Sequence, residues 1–272
     1  MGNMLVSFSA QRSKPANPML HLLESLSKWM VIVSFSVLLF TYFLKDRLPA
    51  PDTYGLLEPL PPPLQEETLQ TPFGLQVGGE RYKINPVQAY RLEGVIVSYH
   101  DADAFSDIWH HDKWKDFLNV RDLCVIWGEN LQNGDYREMT FKNDSWTCWA
   151  YWPDGQTGSR FSPSQISNNH ILTDDIELKR TLLSAEIGDR IRLRGMLASY
   201  ENPANGFRRG TSTVRNDMGN GACETIYLKG FEIVQKANEK SRMLFRIAKW
   251  SLIFSLCLFL ILFFITPPKA HT

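Results

Sequence analysis

The sequence predicts a mainly β domain with one or two helices, attached to two transmembrane α-helices. Two uncharged apolar blocks, one near each end of the 272-residue chain, predict the transmembrane helices. Between them, about six to eight segments with strand patterning follow one another with few intervening helices, which favours an antiparallel sheet or a small closed barrel.

The first apolar block covers residues 29–44 and reads WMVIVSFSVLLFTYFL between Lys28 and Lys45. It is slightly shorter than the roughly 17 to 25 residues of a typical span, but lysines at its ends can extend to the bilayer surface. A core helix of this length seldom lacks a polar stripe, and the following LKDRLPAPD does not resemble the small-residue cleavage site of a signal peptide. We therefore predict a transmembrane helix, preceded by an N-terminal tail over residues 1–28.

A proline-rich segment follows the first apolar block, with seven prolines in residues 48–72. Proline lacks a backbone N–H and has a restricted φ angle, so this composition disfavours both helix and sheet. We interpret residues 45–72 as an extended spacer between the membrane and the domain.

The first part of the β-rich domain, which we place at residues 73–235, contains most of the predicted strands. FGLQVGGERYKINP predicts a hairpin that turns at Gly78 and Gly79, and YRLEGVIVSYH, residues 90–100, predicts a further strand. The stretch DADAFSDIWHHDKWKDFLN is compatible with a short helix that begins at its aspartates. DLCVIWG then predicts a buried strand, and REMTFKNDSWTCWAYWP predicts one long strand or two shorter ones.

The second part of the domain contains the clearest helix and the most regular strand. Residues 173–185 predict a helix with Asp174 as N-cap and Glu177 at the capping-box position. IGDRIRLRGMLASY then alternates apolar and polar residues until Gly195, which allows a bend or bulge. Within it, GDRIRLRG resembles the strand of OB-fold barrels in which glycine lets the strand curl, so a small OB-like barrel is the specific form of the prediction. CETIYLKGFEIV completes the domain as a last strand pair.

The second apolar block covers residues 250–266 and reads WSLIFSLCLFLILFFIT. A basic juxtamembrane segment, residues 236–249, precedes it, and a short C-terminal tail, residues 267–272, follows it. The block predicts a second transmembrane helix. Two spans place both chain termini on the same side of the membrane.

Three sequence segments in the domain resemble segments of other proteins. DLCVIWGEN, SWTCW and RRGTSTVRNDMGNGACETIYL are similar to an uncharacterised family of bacterial membrane-anchored proteins with two spans and a β-rich domain. The resemblance covers roughly residues 70 to 235. It implies a bacterial inner-membrane protein, and it implies no activity and no site residue.

An arginine-rich region is the main candidate for a binding site. Its first three arginines alternate with Ile191 and Leu193, so their side chains are predicted to share one outer face of a strand. Guanidinium groups suit phosphate and carboxylate, which makes an anionic ligand plausible. The alternative is a solvated face whose arginines pair with Asp174, Asp175, Glu177 or Glu186. The six arginines lie within 26 residues that include only one acid, Glu201: Arg190, Arg192, Arg194, Arg208, Arg209 and Arg215.

A cluster of histidines and aspartates supports the second candidate, a metal-dependent hydrolase. Neutral imidazoles and carboxylates can hold zinc or a similar ion, and the candidate ligands are His100, Asp101, His110 and His111. The neighbouring Asp103, Asp107 and Asp112 complete the cluster. Its spacing matches no known metal motif, and the alternative is a solvated acidic loop.

Three cysteines lie in the domain, so one disulfide at most can form among them. We predict that any bridge joins Cys148 to Cys223, because both lie on predicted strands that could be neighbours in a closed sheet, and that Cys124 stays free. The alternative is that all three are buried, unpaired thiols. No cofactor is predicted.

Six tryptophans are concentrated in the domain within 44 residues. They either fill a small barrel and its rim or line a groove for carbohydrate or peptide. They are Trp109, Trp114, Trp127, Trp146, Trp149 and Trp152.

The charge distribution limits the possible functions and gives a weak indication of orientation. Residues 71–235 contain 18 basic and 22 acidic side chains, a formal charge of −4, which is unlike a general nucleic-acid binder. Basic residues around the first span favour an exported domain, whereas those before the second span favour the reverse. The first span usually dominates, so we predict a periplasmic domain and leave the cytoplasmic alternative open.

The function predicted from these features is that of a membrane-anchored binding or scaffolding protein rather than an enzyme. Its expected partners are the lipid bilayer and an anionic ligand or another membrane protein, with no nucleic acid.

Overall fold

The computed structural model describes residues 18–104, 109–214, 217 and 223–266, with the backbone alone at 109 and 110. The chain divides into two compact units, one that contains both long terminal helices and one over residues 46–239. Among the predicted site residues, Asp107, Arg215 and the side chain of His110 lie outside the described residues.

The helical unit consists of α1, Pro18–Lys45, and α5, Glu239–Ile265. Both are longer than the predicted spans over 29–44 and 250–266, because flanking residues continue the helices. By length and composition, both helices are long and apolar enough to cross a membrane.

Mostly small side chains line the contact between α1 and α5. Ser34 and Ser251 share a hydrogen bond of 2.8 Å between their hydroxyl oxygens. Residues seven apart lie on the same helix face, and small residues there let two backbones approach closely. The buried positions are Ser27, Ser34 and Thr41 on α1, and Ala248, Ser255 and Leu262 on α5.

The second unit contains ten strands and three short α-helices among the described residues. The strands are β1 Leu64–Glu67, β2 Phe73–Val77, β3 Glu80–His100, β4 Asn119–Ile126, β5 Thr140–Asn143, β6 Cys148–Tyr151, β7 Ile166–Leu172, β8 Arg190–Asn202, β9 Phe207–Arg209 and β10 Glu224–Gln235. The helices are α2 Gly128–Gln132, α3 Gly155–Arg160 and α4 Ile176–Leu183. The prediction of a mainly β domain with helices is confirmed.

Five of these strands pair in a cycle. β3 pairs with β4, β4 with β7, β7 with β10, β10 with β8, and β8 with β3 again. β1 and β2 extend the sheet at β3, β9 extends it at β8, and β5 and β6 form a separate hairpin.

The described strand pairs are mainly antiparallel, as predicted, but β7 and β10 are parallel, so the sheet is mixed. The chain runs from β7 through α4 into β8, and β10 then inserts between β7 and β8. β7 and β8 run in opposite directions. Since β10 is antiparallel to β8, β10 runs in the same direction as β7.

The apolar core lies against these five strands. The largest fully buried side chains include Trp127, Tyr90 and Ile126, which pack in one cluster, while Tyr82 and Tyr200 belong to a second cluster. Trp127 therefore fills the core, which is one of the two alternatives that the sequence left open for the tryptophans.

Several predicted elements differ in detail from the structure. The predicted spacer packs against the domain, because the buried Tyr54 donates a hydrogen bond to the Gly188 carbonyl and β1 pairs with β3. Burial of apolar side chains here outweighs the effect of the prolines. The N-cap of α4 is Asp175 rather than Asp174, since the Asp175 carboxylate accepts hydrogen bonds from two backbone N–H groups. The predicted last strand pair is the single strand β10.

The disulfide joins Cys124 to Cys148, with 5.8 Å between their Cα atoms, so the predicted Cys148–Cys223 bridge is wrong. Cys124 lies in β4 and Cys148 begins β6, which places the β5–β6 hairpin over β4. Cys223 is a free thiol. The parallel pairing of β10 with β7 places Cys223 beside Asn168 instead.

Candidate functional site

The arginines of β8 occupy one outer face, as their alternation predicts. Ile191 and Leu193 are fully buried, whereas Arg192 is exposed. Acidic side chains on neighbouring strands bind this face. Arg190 and Arg192 both bind the Glu93 carboxylate, at 2.5 and 2.9 Å.

A second carboxylate, that of Glu232, lies 3.3 Å from Arg192. The hydrogen bond to Glu93 and the charges of both acids raise the pKa of Arg192. These arginines therefore match the alternative of a paired, solvated face, with Glu93 and Glu232 as partners rather than the acids around α4.

Two adjacent arginines in β9 have opposite environments. Arg208 is exposed and lies 3.2 Å from the Glu201 carboxylate. Arg209 is only 8% exposed, and its buried Nη1 and Nη2 atoms have no hydrogen-bond partner within the part of the chain that the structure describes. A buried guanidinium without acceptors is costly, so Arg209 is the arginine most in need of a partner.

A small cleft opens beside Arg209. Its wall includes the end of β8, from Ser199 to Glu201, together with Arg208 to Gly210 and Asn85 of β3. Two arginines, two hydroxyl-bearing residues, an amide and a glycine thus line one cleft, with Glu201 as the acid among the described lining residues. This composition suits a small anion.

Trp146 covers one side of Arg209. The guanidinium carbon lies 4.3 Å from the centre of the Trp146 ring, a distance typical of a cation–π contact. Trp146 belongs to the turn of the β5–β6 hairpin, and several hydrogen bonds hold that turn. The Asp144 carboxylate accepts from the Trp146 and Thr147 backbone N–H groups, and the Asn168 side chain donates to the Trp146 carbonyl.

A buried acid–histidine pair lies close to Arg209. The Nδ1 atom of His170 is 2.6 Å from the Oδ1 atom of Asp122, which also accepts a hydrogen bond from Asn119 at 2.9 Å. Burial alone would raise the pKa of Asp122. The His170 interaction, the charge of Arg209 and the Asn119 hydrogen bond outweigh burial, so the pKa of Asp122 lies below its usual value.

The cluster holds one further ionisable interaction. The Tyr200 hydroxyl donates to the Asp116 carboxylate at 2.6 Å, and burial raises the pKa of Tyr200 well above its usual value. Tyr200 lies opposite Arg209 in the β8–β9 pairing. Arg209 therefore provides positive charge to a buried region that contains two carboxylates, those of Asp116 and Asp122.

The proposed metal ligands do not form a cluster within the described ranges. The structure describes no group of three or more His, Cys, Asp or Glu residues there that could hold a metal ion. Asp101 is bound by Arg121 at 2.5 Å, and Asp103 by Lys179 at 2.7 Å. His111 lies 3.9 Å from Asp103.

The free thiol of Cys223 lies near the Asp122 and Arg209 cluster but has little thiolate character. Burial raises the pKa of Cys223, so the thiol stays protonated near neutral pH. An Asp–His pair next to a cysteine is therefore not evidence for a cysteine nucleophile here.

Sequence reasoning identified Arg209 as one of six arginines but missed Asp122, His170 and Asn119. The detectable signal was the presence of polar residues inside strongly apolar strand segments, as in NVRDLCVI and ISNNHIL. Buried polar residues in strands require partners, so such segments indicate a polar cluster.

Comparison with known proteins adds no relative, because no family model, curated protein or solved structure matches the chain.

Proposed function

We propose that this chain is a two-span membrane protein whose β domain binds an anionic ligand at Arg209. The observation that carries the proposal is the buried Arg209 guanidinium, whose Nη1 and Nη2 atoms lack hydrogen-bond acceptors among the described residues. Arg190 and Arg192, in contrast, are already paired with carboxylates. A ligand oxygen at Arg209 would replace lost solvation with charge-assisted hydrogen bonds.

We also propose that the five paired strands form a small OB-like barrel. Three features support it: the closed cycle of pairing, the parallel β7–β10 pair, and the position of α4 between β7 and β8. In this arrangement β9 belongs to the connection between the last two barrel strands, β8 and β10, and lines the cleft together with residues of β8 and β3.

The domain is proposed to face the periplasm of a bacterial cell. The Cys124–Cys148 disulfide supports an exported domain, because disulfides persist in oxidising compartments and are rare in the cytosol. The apolar helices α1 and α5 support anchoring in the inner membrane.

Anion binding is tested by calorimetry on the full chain in lipid nanodiscs, with methyl phosphate as the probe and empty nanodiscs as the reference. Arg209→Gln is expected to weaken binding by about 1.5 to 3 kcal/mol per lost charged hydrogen bond, roughly 10- to 150-fold. Binding should also weaken as salt rises.

Arg192→Gln is the matched control, because Arg192 is exposed and paired with Glu93 and Glu232. It should leave methyl phosphate binding unchanged. Arg209→Lys retains the charge and separates loss of binding from loss of folding, which circular dichroism checks independently. The proposal fails if methyl phosphate does not bind, or if Arg192→Gln and Arg209→Gln reduce binding equally.

A further inference from the structure

We infer that the anion bound at Arg209 is joined to a flat ring, as in an aryl phosphate or an aromatic carboxylate. This inference rests on the proposed anion site and names the class of ligand that the site takes. It depends on aromatic side chains beside Arg209, on their exposure, and on how firmly they are held.

The aromatic group begins with Trp146, which covers the Arg209 guanidinium. Trp146 is 45% exposed, although it contacts a buried arginine, so part of its indole is available to a ligand. The Trp114 ring meets it edge-on, with 4.5 Å between ring centroids. Trp114 in turn stacks on Phe207, two residues before Arg209, at 6.1 Å.

The turn that carries Trp146 is held in place by contacts within the protein. It is held by Asp144 and Asn168, and the nearby Cys124–Cys148 disulfide ties its hairpin to β4. Because the indole is already held in place, a ligand ring that packs against it costs little conformational entropy. More of the contact energy therefore contributes to affinity. A half-exposed tryptophan stacked on a guanidinium whose Nη1 and Nη2 atoms lack hydrogen-bond acceptors among the described residues thus provides one apolar contact and one anionic contact at adjacent positions.

The two contacts select against simpler ligands. A small anion without a ring would bind the guanidinium but leave the exposed indole in water. A neutral ring would contact the indole but leave the guanidinium without acceptors, which is the larger cost in a buried site. A ligand that carries both groups satisfies both surfaces.

The test compares phenyl phosphate with methyl phosphate by calorimetry on the full chain in nanodiscs. The two probes carry the same charged group and differ in the ring. Phenyl phosphate should bind about tenfold more tightly, as expected for one added aromatic contact. Trp146→Leu should remove this preference, so that phenyl phosphate binds the variant no more tightly than methyl phosphate does.

Trp149→Leu is the matched control, because Trp149 is exposed to a similar extent on the same hairpin but bonds to the Asp144 carboxylate instead of covering Arg209. It should retain the preference for phenyl phosphate. Equal affinity for the two probes, or a preference that survives Trp146→Leu, overturns the inference while leaving the anion site intact. If neither probe binds, or if binding does not depend on Arg209, the proposed function fails as well.

Discussion

Replacement of Asp122 by asparagine should strongly destabilise the β domain. Asp122 is fully buried, and its Oδ1 atom interacts with both His170 and Asn119. The asparagine side chain would retain the shape and an acceptor but remove the negative charge that faces His170 and Arg209. Removing a buried charge from its hydrogen-bonded partners typically costs about 3 to 5 kcal/mol, a large part of the roughly 5 to 15 kcal/mol stability of a domain.

The same substitution should change the pH dependence of stability. The pKa of Asp122 is lowered in the folded state, so its contribution is fully present above the unfolded-chain pKa of about 3.9 and is lost as the pH falls through the folded-state pKa. The Asp122→Asn chain should therefore lose less stability between about pH 5 and more acidic pH than the wild type. The interactions with His170, Arg209 and Asn119 are the ones that lower the pKa of Asp122.

Urea unfolding of the full chain in detergent, followed by near-ultraviolet circular dichroism, measures both effects. Asp135→Asn serves as the control, because the Asp135–Arg160 pair of 2.6 Å lies at the surface, where ion pairs contribute little. An Asp122→Asn chain as stable as the Asp135→Asn chain would refute the reasoning, since it would mean that Asp122 is not a buried charge with buried partners.

The fold makes three further predictions. Gly195→Ala should destabilise the domain by more than about 1 kcal/mol, because an added Cβ would lie 2.3 Å from the Tyr227 carbonyl oxygen. Gly74→Ala is the control and should be neutral, and thermal unfolding compares the two variants. The denatured, unreduced chain should show two titratable thiols and the reduced chain four, and loss of the Cys124–Cys148 bridge should cost about 3 kcal/mol. A reporter fused after Asn238 should behave as exported and one fused at the carboxyl terminus as cytoplasmic, and the reverse pattern would contradict the orientation alone.

The elements with strong local patterns were predictable. The hairpin that turns at Gly78 and Gly79, the α4 region and the alternating β8 strand each follow from local periodicity or turn residues. Long-range features were not predictable from the sequence. The parallel pairing of β10 with β7 depends on where a strand inserts into the sheet, and the disulfide partner of Cys148 depends on the position of the β5–β6 hairpin over β4.

The candidate site also combines features that local patterns predict with features that depend on tertiary structure. The alternation of Arg190, Arg192 and Arg194 predicted their shared face, but only the neighbouring strands reveal that Glu93 and Glu232 bind it. Arg209 differs from Arg208 by one position, and strand alternation turns it inward. Its burial, and its contact with Trp146 from a separate hairpin, depend on tertiary structure.

Anomalous diffraction from crystals of the full chain soaked in selenate tests the central claim most directly. Selenate is a tetrahedral anion, and selenium gives a signal that locates it without ambiguity. The account predicts an anomalous peak within hydrogen-bond distance of the Nη1 and Nη2 atoms of Arg209, beside the Trp146 ring. A structure in which these two atoms bind carboxylate or carbonyl oxygens of the protein, with no selenate at Arg209, would contradict it.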